Sequence, residues 1–161
     1  MDKIKLYLDT NTILDFFINQ AMHFKGKKEQ KMPEKMKFLL ENIDRFDFML
    51  SFITKAEVTR ELVAGFGVEY ERVERFWSEF MQSMKNPVYI NKFEFDDKLV
   101  ELTGKLGMKL RTMFNFMHLF IAIKKEAYFV SGDKDIILKT KELGLYDKVI
   151  SYIELRELIS S

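Results

Sequence analysis

Short apolar stretches alternating with segments of helical periodicity constrain this chain more than any other feature. IKLYL (residues 4–8), FDFMLS (46–51), VYI (88–90), AYFVSGD (127–133, ending in a polar turn) and KVI (148–150) read as strands, and helical patterns separate them. A strand that is followed each time by a helix returns to the sheet in the same direction. The predicted fold is therefore α/β, a Rossmann-like three-layer sandwich with a central parallel sheet of about five strands covered on both faces.

The helices follow from spacing. Thr10 or Asn11 can cap a helix carrying Ile13, Leu14, Phe16, Phe17 and Ile18, and residues 20–33, polar and Lys-rich, read as a loop. Met36, Leu39, Leu40 and Ile43 then repeat at helical spacing. Thr54 stands three residues before Glu57, a capping-box spacing that places Glu57 in the first turn of its helix. Gly65 and Gly67 break the chain before a helix with Val73, Phe76, Trp77, Phe80, Met81 and Met84 on one face, closed by Asn86 and Pro87. Further helices are expected over 95–106, over the apolar FNFMHLFIAI (114–123), from about Asp135 to Leu143, and through Tyr152, Leu155, Leu158 and Ile159. One strand fits less well: KIKLYLD puts Lys3, Lys5 and Tyr7 on one side, so Lys5 snorkels or that face is only partly covered.

A length of 161 residues suits one domain, 1–161, and 47% hydrophobic with 32% charged residues describes a globular chain. No apolar run reaches the roughly 18 residues of a membrane span, and MDKIKLYLD enters a strand pattern without a signal-peptide layout. The expected compartment is the cytoplasm. Cys is absent and His occurs twice, which excludes thiolate metal sites and disfavours an imidazole-rich one. Any metal must be held mainly by oxygen.

Acidic residues fall where such a sheet places its ligands, at strand ends and helix starts. Asp9 closes the first strand, Asp133 the fourth, and Glu57 follows the second. Carboxylates gathered at one sheet edge repel unless a cation neutralises them, and Mg²⁺ or Mn²⁺ suits an all-oxygen set. The reaction class these residues point to is phosphodiester hydrolysis. Each also has a plainer reading: Asp9 as a helix cap, Glu57 as the partner in a capping box, Asp133 as a turn residue. His118, in an apolar helix, reads as a hydrogen-bonded core residue, and His23 as surface.

YLDTNTILDFF, the Glu of ITKAEVTREL, and NFMHLFIAIKKEAYFVSGDKD, in this order and spacing, resemble a PIN domain, the nuclease fold of VapC-type toxins and some RNA-processing enzymes. The resemblance covers nearly the whole chain. It implies a metal-dependent endoribonuclease with Asp9, Glu57 and Asp133 as catalytic, metal-binding acids, Asn11 and Ser131 lining the site, and Asp135 supporting it from behind. The family usually has an Asp where this chain has Asn115, a fourth ligand without charge, so metal affinity should fall. Asp96 and Asp97 begin another helix. An antitoxin partner and a homodimer are also implied, with Phe76 and Trp77 as contact candidates should their face be exposed.

Lys25, Lys27, Lys28 and Lys31 belong to a stretch from Lys25 to Lys37 with six Lys, read either as an RNA phosphate contact or as a solvated loop. The net charge of +1 gives no global sign of nucleic-acid binding. Two further functions stand beside the ribonuclease. One is a catalytically weakened PIN-fold module that binds RNA or protein, suggested by Asn115. The other is a phosphatase of the haloacid-dehalogenase type, because LDTNT resembles the strand-end Asp motif of those enzymes; it lacks their second Asp, having Asn11 there.

Overall fold

The computed structural model describes residues 2–27, 29–107 and 113–160. Along them run β1 (Ile4–Leu8), α1 (Thr10–Phe24), α2 (Glu34–Glu41), β2 (Phe46–Ser51), α3 (Phe52–Arg60), α4 (Tyr70–Ser83), β3 (Val88–Ile90), α5 (Asp97–Leu106), α6 (Met113–Lys124), β4 (Tyr128–Val130), α7 (Lys134–Glu142), β5 (Val149–Ile150) and α8 (Tyr152–Ser160). The five strands form one parallel sheet in the order β3-β2-β1-β4-β5. This is the α/β sandwich the alternation predicts. No helix among the described residues is long and apolar enough to cross a membrane.

Strand alternation divides the core between the two faces of the sheet. Leu6 and Leu8 of β1 with Phe46, Phe48 and Leu50 of β2 pack against α1, α2, α4 and α8. Tyr7, Met49 and Phe129 point the other way, into α5, α6 and α7. The first face is held by rings: Phe17 stacks on Trp77 at 5.7 Å between centroids and touches Phe80 at 5.0 Å. Each such buried aromatic contributes about 1.5–3 kcal/mol by leaving water. Phe76 and Trp77 are buried there, so they are not available as contacts with a second copy. On the second face Tyr7 is buried while Lys5 is exposed, so that face is covered only toward the carboxyl end of β1.

Three expectations change. Helix α1 continues to Phe24 through residues expected in the loop, because Ala21 still packs against the core and carries the apolar face one turn further. The cap of α3 is Ser51, whose hydroxyl accepts from the Ile53 N–H, so Thr54 is inside the helix and Glu57 lies in its second turn. A π-helical turn, Glu61–Gly65, then prolongs α3 through Gly65, and the break comes at Gly67 with φ +64°. Asp96 caps α5 and pairs with Lys124, away from the acids.

The register sets the functional edge. Leu8 pairs with Val130, and Tyr7 with Met49, so β1, β2 and β4 end at nearly one level. The connections leave β1 toward β2 on one side and β4 toward β5 on the other. Between β1 and β4 lies the topological switch point, where open α/β sheets leave a crevice.

Candidate active site

Asp9 follows β1 directly at this switch point. Its backbone N–H bonds the Val130 carbonyl, and it occupies the N-cap position of α1 without its side chain capping the helix. The carboxylate is only 2% exposed and receives a hydrogen bond from the Ser131 hydroxyl at 3.1 Å. Burial pushes its pKa above the usual carboxylate range, and His118, Ser131 and the Asn11 backbone offset that only in part. A carboxylate this desolvated, with no capping bond of good geometry to its helix and only a weak influence from the Asn11 N–H, is the site's first mark of function.

Ser131 joins Asp9 to the second acid, because its hydroxyl also accepts the Asp133 N–H at 3.0 Å. Asp133 caps α7, its Oδ1 taking the N–H groups of Asp135 and Ile136. Its Oδ2 accepts from the Asn115 side-chain amide at 3.2 Å. Were residue 115 an Asp, the two carboxylates would face each other and call for a cation; Asn115 donates instead and satisfies Asp133 without one. Asp135 is exposed and joins Asp133 through its backbone only, which removes it as a supporting side chain.

Glu57 sits on the other side of Asp9. Its Oε1 accepts from the Thr10 hydroxyl at 2.7 Å and lies 2.5 Å from His118 Nε2. Desolvation raises the Glu57 pKa, but the hydrogen bond and charge of His118 and the bond from Thr10 outweigh it, leaving the carboxyl below its ordinary range. His118 itself is 0% exposed, and its Nδ1 meets the Tyr7 hydroxyl at 2.6 Å. That hydroxyl in turn lies 2.7 Å from Ser51 Oγ. Burial pushes the phenol up, so Tyr7 keeps its proton. One arrangement uses every hydrogen: Ser51 donates to Tyr7, Tyr7 to Nδ1, and Nε2–H to Glu57.

His118 is the residue whose role the sequence reading understates. It is a core residue, as read, but it also fixes Glu57. The signal available was its placement three residues after Asn115, which sets both on one face of α6.

The lysines fall elsewhere. Helix α1 has 15 residues and so spans about 22 Å, placing the loop after it far from Asp9. Lys25 donates to the Phe66 carbonyl, and the Lys31 backbone to Asn19, so this segment returns along α1. Lys27 is exposed, and Lys28 lies outside the described residues. It is Lys35, further along the same lysine-rich stretch, that reaches the sheet edge, where it lines a crevice with Asn11 and Ser131.

Among the described residues no three His, Asp or Glu side chains form a group able to hold a metal ion. The donors near the switch point are nonetheless all oxygen, which suits a hard divalent ion rather than zinc. Asp9, Asp133 and Asn115 supply such oxygens, and both Asp133 oxygens also have protein partners, Oδ1 in the Asp135 and Ile136 N–H groups and Oδ2 in the Asn115 amide. Glu57 has Oε1 taken by His118 and Thr10, which leaves Oε2 as its oxygen for an ion.

No family model matches the chain, and no curated protein matches it either. Among solved structures, the crystal structure of PAE2754 from Pyrobaculum aerophilum is similar, with a TM-score of 0.55 and 12% identity over 98% of this chain and 97% of that one. At that identity the likeness supports the α/β architecture alone.

Proposed function

We propose that the protein is a PIN-type ribonuclease that hydrolyses RNA phosphodiester bonds with Mg²⁺ or Mn²⁺, tuned down by Asn115. The observation that carries this reading is Asp9: a carboxylate buried at the switch point beside the start of α1 and linked through the Ser131 hydroxyl to the Asp133 backbone. Asp9, Asp133 and Asn115 would hold the ion. When bound, it would supply charge neutralisation at the phosphate and the leaving oxygen.

The chain's own groups do the rest. Glu57, kept ionised by His118 and Thr10, is a base for the attacking water. Water oxygen bonds to phosphorus, its proton passes to Glu57, and the bond to the leaving oxygen breaks, that oxygen taking a proton from solvent. Ser131 orients Asp9, and Thr10 with His118 fixes the Glu57 rotamer.

Asp9→Asn tests it. Cleavage of a single-stranded RNA with Mn²⁺ is expected to fall at least about 100-fold, as for loss of one preorganised electrostatic group. Stability should hold or rise. A raised folded pKa means the group favours folding below its unfolded pKa, about 3.9, and that this contribution is lost as pH rises through the folded value. Near neutral pH the ionised Asp9 therefore opposes folding, and the Asn variant should melt no lower. Unchanged cleavage would contradict the reading.

The second reading, a PIN-fold module that binds RNA without turnover, draws on the Asn115–Asp133 and His118–Glu57 pairs, which satisfy both acids with no ion present. RNA binding by an unmodified protein that cleaves nothing would select it.

A further inference from the structure

Beside Ser131, on the side away from Glu57, a crevice of about 290 Å³ opens between the ends of β4 and β5 and the start of α2. Asn11, Lys35, Ser131, Gly132, Lys134 and Ser151 line its polar side, Val130, Ile137, Tyr152 and Ile153 give it a largely apolar wall, and no Asp or Glu lines it. We propose that it is a phosphate subsite, taking the nucleotide phosphate next to the scissile bond. This deepens the ribonuclease reading and rests on it for the identity of the chain that supplies the phosphate.

Three observations support it. First, the charged residues that line the crevice are both cations, Lys35 and Lys134, and Asp9, Glu57 and Asp133 are not part of its lining. Among the described residues neither Lys35 nor Lys134 has a carboxylate within ion-pair distance, and Lys35 has only the Tyr152 ring, 5.8 Å from its ammonium. Two lysines without acidic partners facing one small cavity favour an anion, and Lys binds phosphate as a point charge.

Second, size selects the ligand. Small-molecule pockets run from about 300 to 1,000 Å³, so this one sits at the lower end, suited to one nucleotide and too small for a duplex. Third, only two of the surrounding helix starts are capped by side chains. The Asp133 and Ser151 side chains take N–H groups at the starts of α7 and α8, whereas α1 and α2, which bring Asn11 and Lys35 to the crevice, carry no side-chain cap, so their first turns and the lysines are the donors left to meet an anion.

The position has a mechanistic consequence. A phosphate held by Lys35 and Lys134 lies on the far side of Ser131 from the Glu57 carboxylate, so a single strand crossing the edge presents its next phosphodiester toward Asp9. Binding in this crevice would then set the register of cleavage.

Amide NMR on the isotopically labelled full chain in EDTA tests this without turnover, using inorganic phosphate, adenosine 5′-monophosphate and a four-nucleotide oligoribonucleotide as separate probes. Shifts are expected at Asn11, Gly132 and Lys134 with all three, strongest with the oligonucleotide. Lys134→Glu should weaken each at least about tenfold and Lys134→Ala less, while Lys27→Glu, at the far end of α1, should change phosphate binding little. Absence of shifts in the crevice, or binding untouched by Lys134→Glu, would overturn the subsite. Crevice binding by the nucleotide in a protein that neither binds nor cleaves RNA would uphold the subsite and remove the ribonuclease reading instead.

Discussion

Glu57 and Asp133 flank the same buried Asp9, yet the fold neutralises them by different means. Glu57 leans on an imidazole that is fully buried and connected through Tyr7 to Ser51, so its support is a chain of side chains reaching into the core. Asp133 leans on the Asn115 amide and on backbone N–H groups of α7, all near the surface end of the sheet edge. One side of the site is therefore deep, the other shallow. The difference teaches that the same requirement, keeping a carboxylate charged at a sheet edge, is met here by core construction on one side and by a single residue choice on the other.

Removing each partner should expose that asymmetry. His118→Ala leaves Tyr7 without its acceptor and Glu57 without its Nε2–H donor in a fully packed core. Breaking a buried pair costs about 3–5 kcal/mol, and because Glu57 is 28% exposed we expect about 2–4 kcal/mol in urea unfolding. Asn115→Ala, which removes one half-buried hydrogen bond, should cost about 1 kcal/mol. Equal losses would erase the distinction between the two sides.

A smaller effect separates them by pH. The folded-state pKa of Glu57 is depressed, so its contribution to stability is complete above the unfolded value, about 4.3, and is lost as pH falls through the folded one. Glu57→Gln should lower stability at pH 7 and converge on the unmodified protein in acid, giving a flatter acid limb in a pH series of thermal melts. Parallel curves for the two proteins would show that the His118 pair does not govern Glu57.

Much of the frame was legible because it rests on periodicity. FDFMLS and VYI match β2 and β3 residue for residue, since apolar runs bounded by turn residues leave few alternatives. The end of α1 was not legible: residues 20–24 carry polar groups on the solvent side, and only packing of Ala21 shows that the helix goes on. The cap of α3 was misplaced because Thr54 and Glu57 satisfy the capping-box spacing, while Ser51, the residue that closes β2, does the capping. At the site, Asp9 could be placed from the end of β1, whereas Asp133 lies beyond the end of β4 at Val130, as the cap of α7. The chain from Ser51 through Tyr7 and His118 to Glu57 joins residues up to 111 positions apart and has no local signature.

The most direct measurement is the rate of RNA cleavage by Asn115→Asp relative to the unmodified protein in Mg²⁺ or Mn²⁺, alongside melting with and without the ion. Without it, a carboxylate facing Asp133 should lower stability by about 1 kcal/mol, and the ion should restore it by binding the folded state. The account predicts that cleavage rises together with that ion-dependent stabilisation. An Asn115→Asp variant that cleaves no faster and gains no stability from either ion would contradict the claim that this sheet edge is a phosphodiesterase site held back by Asn115.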